Sequence, residues 1–151
     1  MMDEIACIGG KVIIWCNFVH DVKLISEALR KEYGDESVET YYGDTLTLDR
    51  ALASERFEND DGCRFMVSTS AGSKGNTWVA AHNVIYYSLS YKLMDYLQSQ
   101  DRNHRIGQRY DCNYIHLVVP RTIDEKIQKA LQSKQDVADS ILNDWQKWFV
   151  K

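Results

Sequence analysis

Val12-Ile13-Ile14-Trp15-Cys16 is an unbroken apolar run rich in β-branched and aromatic side chains. A strand solvated on one side alternates polar and apolar residues, so an unbroken run predicts a strand buried on both faces. Val22, Ile25 and Leu29 follow at the spacing of one helical face. The pair reads as strand then helix, and the unit recurs. Ser37 to Tyr42, Phe65 to Ser68, Val84 to Tyr87 and Tyr114 to Val119 are further strand candidates. Leu48, Leu52 and Phe57 suggest a second helix, closed by the turn residues Asn59-Asp60-Asp61-Gly62. The predicted order is β-α five times over, including a helix after the third strand. Parallel strands need crossover connections, and right-handed crossovers lay helices against the sheet. The expected fold is therefore α/β, with a mainly parallel sheet and helices on both faces.

The chain ends on a well-announced helix. Thr122-Ile123-Asp124-Glu125 matches the capping pattern Ser/Thr-x-x-Glu just after Pro120, the only proline. Ile127, Leu131, Ala138, Ile141, Trp145 and Trp148 supply its apolar stripe. With 151 residues, 44% hydrophobic and 26% charged, the composition is that of one folded domain. No repeat, linker or low-complexity segment interrupts it.

A net charge of −4 excludes a uniformly basic coat, but the charge is unevenly placed. Residues 1–70 hold seven Lys/Arg against fourteen Asp/Glu, whereas residues 71–109 hold five against two. The middle of the chain is where an anion is expected to bind. Cys7, Cys16, Cys63 and Cys112 form no C-x-x-C pair, and His20, His82, His104 and His116 form no i, i+4 pair. No metal site is expected from them, and a reducing cytosol suits such cysteines. The acidic start Met1-Met2-Asp3-Glu4 is unlike a signal peptide, and no apolar run reaches the roughly 20 residues of a membrane span, so a cytoplasmic protein is expected.

Two segments could carry chemistry. In Ser68-Thr69-Ser70-Ala71-Gly72-Ser73-Lys74-Gly75-Asn76-Thr77, small residues, glycines and hydroxyls would let backbone N–H groups approach an anion. The same composition also suits a tight turn without a ligand. In Gln98-Ser99-Gln100-Asp101-Arg102-Asn103-His104-Arg105-Ile106-Gly107-Gln108-Arg109, a helix running to Gly107 would align Gln98, Arg102 and Arg105 at i, i+4 and i+7. Two guanidiniums facing one way suit phosphate, because the planar fork gives paired hydrogen bonds and keeps its charge. A solvated, salt-bridged helix face is the alternative.

The string Asp101-Arg102-x-His104-Arg105-Ile106-Gly107-Gln108, preceded by Gln98, resembles motif VI of the Swi/Snf-like branch of superfamily-two helicases and translocases. Val12 to Phe18 resembles the motif IV strand, and Gly43-x-Thr45, Arg50 and Phe57 the block that follows it. Ser68-Thr69-x-Ala71-Gly72-x-x-Gly75 resembles motif V, and Thr122 to Ile127 a later family segment. The resemblance is strongest over residues 11–134 and assigns residues 1–151 to one helicase C-terminal domain. It departs from the family where Ser73-Lys74-Gly75-Asn76-Thr77-Trp78 stands in place of a second glycine and L-G-L-N-L. Thr77 replaces the usual asparagine, Tyr91-Lys92-Leu93 the usual W-N-P, and Ser88 the aspartate before it.

The resemblance implies a RecA-like fold and the second of two lobes, with ATP in the cleft between them and nucleic acid, double-stranded DNA in this branch, across both. No Walker A loop is present: the only Gly-Lys pair, Gly10-Lys11, is followed by Val12, with Ile5 where the first glycine belongs. No magnesium-positioning carboxylate segment follows a strand either. ATP and Mg2+ are thus expected on a first lobe, with this chain inactive alone. The resemblance implies Arg102 and Arg105 as arginine fingers, and Gln98, Gly75, Asn76 and Thr77 as nucleotide contacts. It implies Asn17, Phe18, Ser68, Thr69, Ser70, Gly72 and Lys74 as contacts to the nucleic-acid backbone. A stand-alone nucleic-acid or protein binding module that lost ATPase activity is the alternative, and an intact set of Gln98, Arg102 and Arg105 favours the enzyme part.

Overall fold

The structure, a computed structural model, describes residues 8–43, 46–70 and 75–149, of which residues 142–149 are described as backbone alone. Five parallel strands form one sheet: β1 (Lys11–Trp15), β2 (Val38–Tyr41), β3 (Phe65–Ser68), β4 (Ala81–Tyr86) and β5 (Asn113–His116). Their order is β2-β3-β1-β4-β5, so the run Val12 to Trp15 lies at the centre, paired with Phe65 to Ser68 on one side and Asn83 to Tyr86 on the other. Its predicted burial on both faces follows from that position.

The helices are α1 (Val19–Tyr33), α2 (Thr47–Asn59), α3 (Leu93–Gln100) and α4 (Ile123–Phe149). On one face of the sheet Val22, Ile25 and Leu29 of α1 pack with Val12, Ile14, Val38, Phe65 and Val67. All three α1 side chains are fully buried, each contributing about 1.5–3 kcal/mol of hydrophobic burial. The helix stops at Gly34, whose φ of +94° suits a residue without Cβ and whose N–H closes on Arg30 O at 2.8 Å. On the opposite face Ile13, Trp15, Met66, Val84 and Tyr86 meet Phe57 of α2, and Tyr96 of α3 packs against them. The α/β architecture with helices on both faces is as predicted.

Three local expectations are corrected. Among the described residues no α-helix lies between β3 and β4: Ser70 enters a 3-10 turn, residues 71–74 lie outside the described residues, and residues 75–80 form an irregular stretch in which the fully buried Trp78 inserts into the core. In α2 the buried pair is Ala53 and Phe57, whereas Leu48 and Leu52 are 71% and 55% exposed. One residue of offset turns a helix by about 100°, enough to move a stripe off the core. At the start of α4, Thr122 Oγ1 accepts the Asp124 N–H (3.2 Å), but among the described residues Glu125 does not return a bond to the Thr122 N–H; the Asp124 carboxylate accepts the Val119 N–H (3.2 Å) instead. Among the described residues no helix is long and apolar enough to cross a membrane.

The α3 face of the sheet carries a buried polar network. His116 of β5 stacks on Tyr86 with ring centroids 4.8 Å apart, and its Nε2 lies 3.1 Å from the Tyr96 hydroxyl. Burial lowers the His116 pKa below the ordinary imidazole value, and a neutral Nε2 can accept the Tyr96 proton where a protonated one cannot. As pH falls through about 6.5, the unfolded chain takes up a proton that the folded chain still refuses, so stability is lost on that side. Urea unfolding should show a midpoint that drops from pH 7 to pH 5, with a smaller drop in His116→Phe; equal drops would remove His116 as the source.

Candidate functional site

Helix α3 ends at Gln100, seven residues short of the predicted stop at Gly107, and residues 101–107 continue as consecutive tight turns. Backbone bonds hold them: Arg102 N–H to Ser99 O (3.3 Å), His104 N–H to Gln100 O (3.1 Å) and Gln108 N–H to Arg105 O (3.0 Å). Gly107, at φ +110°, makes the reversal that an L side chain resists. The predicted helical face of Gln98, Arg102 and Arg105 is therefore not formed as a helix. The three residues are instead brought together with Asn76 and Thr77 by hydrogen bonds.

Arg102 is buried, 7% exposed. Its Nε donates to Gln98 O at 3.0 Å and its Nη1 to Asn76 O at 2.6 Å. Arg105 is exposed, and its Nη1 donates to Thr77 Oγ1 at 2.7 Å. Burial lowers the Arg102 pKa, and the Arg105 charge lowers it further. Among the described residues the ion pairs all belong to Arg56, which clasps Glu36, Glu39 and Asp60, so neither guanidinium of the turn is ion-paired to a carboxylate, and the Asp101 charge offsets only part of the lowering at Arg102. Two cations held close, one of them desolvated, stabilise an anion brought between or beside them. Gln98 Oε1 and Asn103 Nδ2 are also shielded from solvent with no hydrogen-bond partner. Uncompensated polar groups of this kind cost about 1–3 kcal/mol each unless a water, an ion or a ligand completes the bonding. The turn thus fits a phosphate-bearing ligand, with Gly75 beside it at φ +80° and open space where a Cβ would stand.

A second group gathers at the carboxyl ends of the central strands, where open parallel sheets collect ligands. Asn17, Ser70, Ser88 and Lys92 line one small cavity of about 40 Å³, floored by Trp15 and Cys16. Asn17 donates its N–H to Ser88 Oγ at 2.8 Å, and Phe18 is 60% exposed at the start of α1. Ser68 and Thr69 lie inside: the Ser68 hydroxyl is within 2.8 Å of Tyr41 O, and the Thr69 N–H donates to that carbonyl at 3.1 Å. Gly72 and Lys74 lie outside the described residues, as does Thr45. Burial, reinforced by Asp21, pushes the Cys16 thiol up to about 12, so it stays protonated and unreactive. Among the described residues no group of three or more His, Cys, Asp or Glu could hold a metal ion.

Sequence reasoning assigned no role to Gln108 or Lys92, and noted Trp78 only as a departure. The Gln108 amide Nε2 sits within 2.9–3.2 Å of the Val79, Ala81 and Asn103 carbonyls, while its Oε1 accepts the Arg109 and Tyr110 N–H groups. It staples the end of the turn to the start of β4. Gln108 closed the quoted motif and Lys92 belonged to the basic middle segment, so both carried a signal.

The model of the helicase conserved C-terminal domain matches residues 2–107, about two thirds of the chain, and the protein belongs to that family. It is 38% identical over 93 residues to the ATP-dependent helicase FUN30 of Saccharomyces cerevisiae, covering 61% of this chain and 8% of that protein. It is 29% identical over 141 residues to the ATP-dependent helicase fft2 of Schizosaccharomyces pombe, covering 90% of this chain and 10% of that one. The crystal structure of the C-terminal part of the Fun30 ATPase domain superposes with a TM-score of 0.74 at 28% identity, over 86% of this chain and 40% of that one. These matches define the chain as a RecA-like C-terminal lobe of the Snf2-like ATP-dependent helicases and translocases. It spans about a tenth of the length of the curated relatives it matches.

Proposed function

We propose that this lobe completes the ATPase site of a two-lobe, DNA-dependent translocase by bringing its arginine turn to ATP held on a first RecA-like lobe. The supporting observation is the Arg102 and Arg105 pair, ion-paired to no carboxylate among the described residues, beside the orphaned Gln98 Oε1. ATP with its Mg2+ supplies the transferable phosphoryl group and the metal charge. Arg105, exposed and hung on the Thr77 hydroxyl, reaches across the cleft to the negative charge that spreads over the phosphoryl oxygens in the transition state. Arg102, pinned to Gln98 O and Asn76 O, adds its charge from below and fixes the Gly75-Asn76-Thr77 segment against the nucleotide. Ile106, fully exposed at the tip of the turn, is the apolar contact that the first lobe covers on closing.

Nucleic acid lies across the carboxyl ends of β1 and β3. Asn17, Phe18, Ser70, Gly72 and Lys74 meet its backbone, and Ser68 and Thr69, bonded to Tyr41 O, fix the end of β3 beside Ser70. Such contacts hold the strand without reading sequence, as a translocase requires. Closure on ATP and reopening after hydrolysis then move this lobe along the duplex, inside the cell. Duplex DNA binding measured against salt tests the nucleic-acid half. In Lys74→Ala the slope of log Kobs against log salt becomes shallower by roughly one phosphate contact. An unchanged slope would place the contact elsewhere.

A further inference from the structure

Trp78 stands where the family pattern carries a leucine, and its surroundings are specific. Its ring is fully buried, with centroids 5.7 Å from Trp15, 5.7 Å from Tyr41 and 6.3 Å from Phe57. Its Nε1 donates to the Ser54 hydroxyl of α2 at 2.7 Å. Its backbone N–H donates to Arg102 O at 2.8 Å. The two residues before it hold the arginine side chains, Asn76 O on Arg102 Nη1 and Thr77 Oγ1 on Arg105 Nη1. Residues 76–78 therefore bond the arginine turn three times, and only Trp78 among them is anchored in the core.

We propose that Trp78 and Ser54 are a positioning pair that seats the arginine turn, a proposal that rests on the reading that Arg105 meets the nucleotide. Serine is a weaker helix former than the neighbouring Ala51 and Ala53, so its use inside α2 sacrifices helix propensity and is compensated by the indole bond. The bond is not an automatic result of burying tryptophan: the Trp15 Nε1, equally buried, has no partner. It fixes the rotation of the Trp78 ring, hence the position of the 76–78 backbone, hence the reach of Arg105. Catalytic placement tolerates little error, since a shift of about 1 Å far from the reacting atoms can cost about a hundredfold in rate.

Amide hydrogen exchange on the full chain separates seating from overall stability. In Ser54→Ala and in Trp78→Phe, which keeps a ring but loses the N–H, exchange of the Trp78 and Gln108 amides rises by about tenfold, the loss of one net hydrogen bond. The Ile13 and Ile14 amides of β1 are unchanged, and Ser54→Thr restores the native pattern. In the chain paired with a first lobe, Ser54→Ala lowers kcat by about tenfold with the KM for ATP unchanged, and Ser54→Thr recovers it. Unchanged exchange at Trp78, a rise shared equally by β1, or full turnover in Ser54→Ala would each overturn the proposal. Loss of the finger reading shows separately, as Arg105→Ala retaining turnover, and leaves the exchange result standing.

Discussion

Replacing Arg105 by alanine in the chain paired with a first lobe lowers ATP turnover by about 10³–10⁵-fold while duplex DNA binding stays within about twofold. The size follows from where the charge acts. A guanidinium aimed at a transferring phosphoryl group contributes little to the ground state and much to the transition state, so its loss appears in kcat rather than in binding. Arg105 is suited to that task because it is exposed, carries no carboxylate partner among the described residues, and is oriented by a single neutral hydroxyl, Thr77 Oγ1. Arg105→Lys keeps a charge but not the planar fork and recovers only part of the rate. Steady-state ATP hydrolysis with saturating DNA measures both variants, and near-native turnover in Arg105→Ala would remove it from the site.

Trp78→Ala is the most destabilising single change expected in the core, at about 3–5 kcal/mol. The substitution deletes a fully buried indole that touches β1, β2 and α2 together, leaves a cavity lined by Trp15, Tyr41 and Phe57, and strips the Ser54 hydroxyl of its partner. Among the described residues, 75–80 form no helix, and Trp78 is the fully buried side chain that ties this stretch to the core. Urea unfolding should show a midpoint lowered with an unchanged slope. A loss below about 1 kcal/mol would mean that the return is held by its backbone bonds alone.

The sheet was readable because its centre, Val12 to Trp15, is apolar without interruption, and the helix after it because Val22, Ile25 and Leu29 share a face. The return after β3 was not. The segment Gly75, Asn76 and Thr77 carries no helical stripe, yet the alternation of the other elements invited one, and only packing shows Trp78 buried in the core just after it. The arginines were found as residue types and by resemblance, but their roles diverge for a reason that spacing does not contain. Where α3 stops at Gln100, the chain turns and drives Arg102 into the protein while leaving Arg105 outside. Asn17 and Ser70, far apart in sequence, meet in one cavity because β1 and β3 are neighbours in the sheet.

ATP hydrolysis by the chain alone, by a first lobe alone, and by the two together, each with and without duplex DNA, tests the central claim most directly. Turnover confined to the mixture containing both lobes and DNA is the result expected of a lobe that supplies charge to a nucleotide bound elsewhere. Turnover by this chain alone, or duplex binding with no turnover in any mixture, would contradict it.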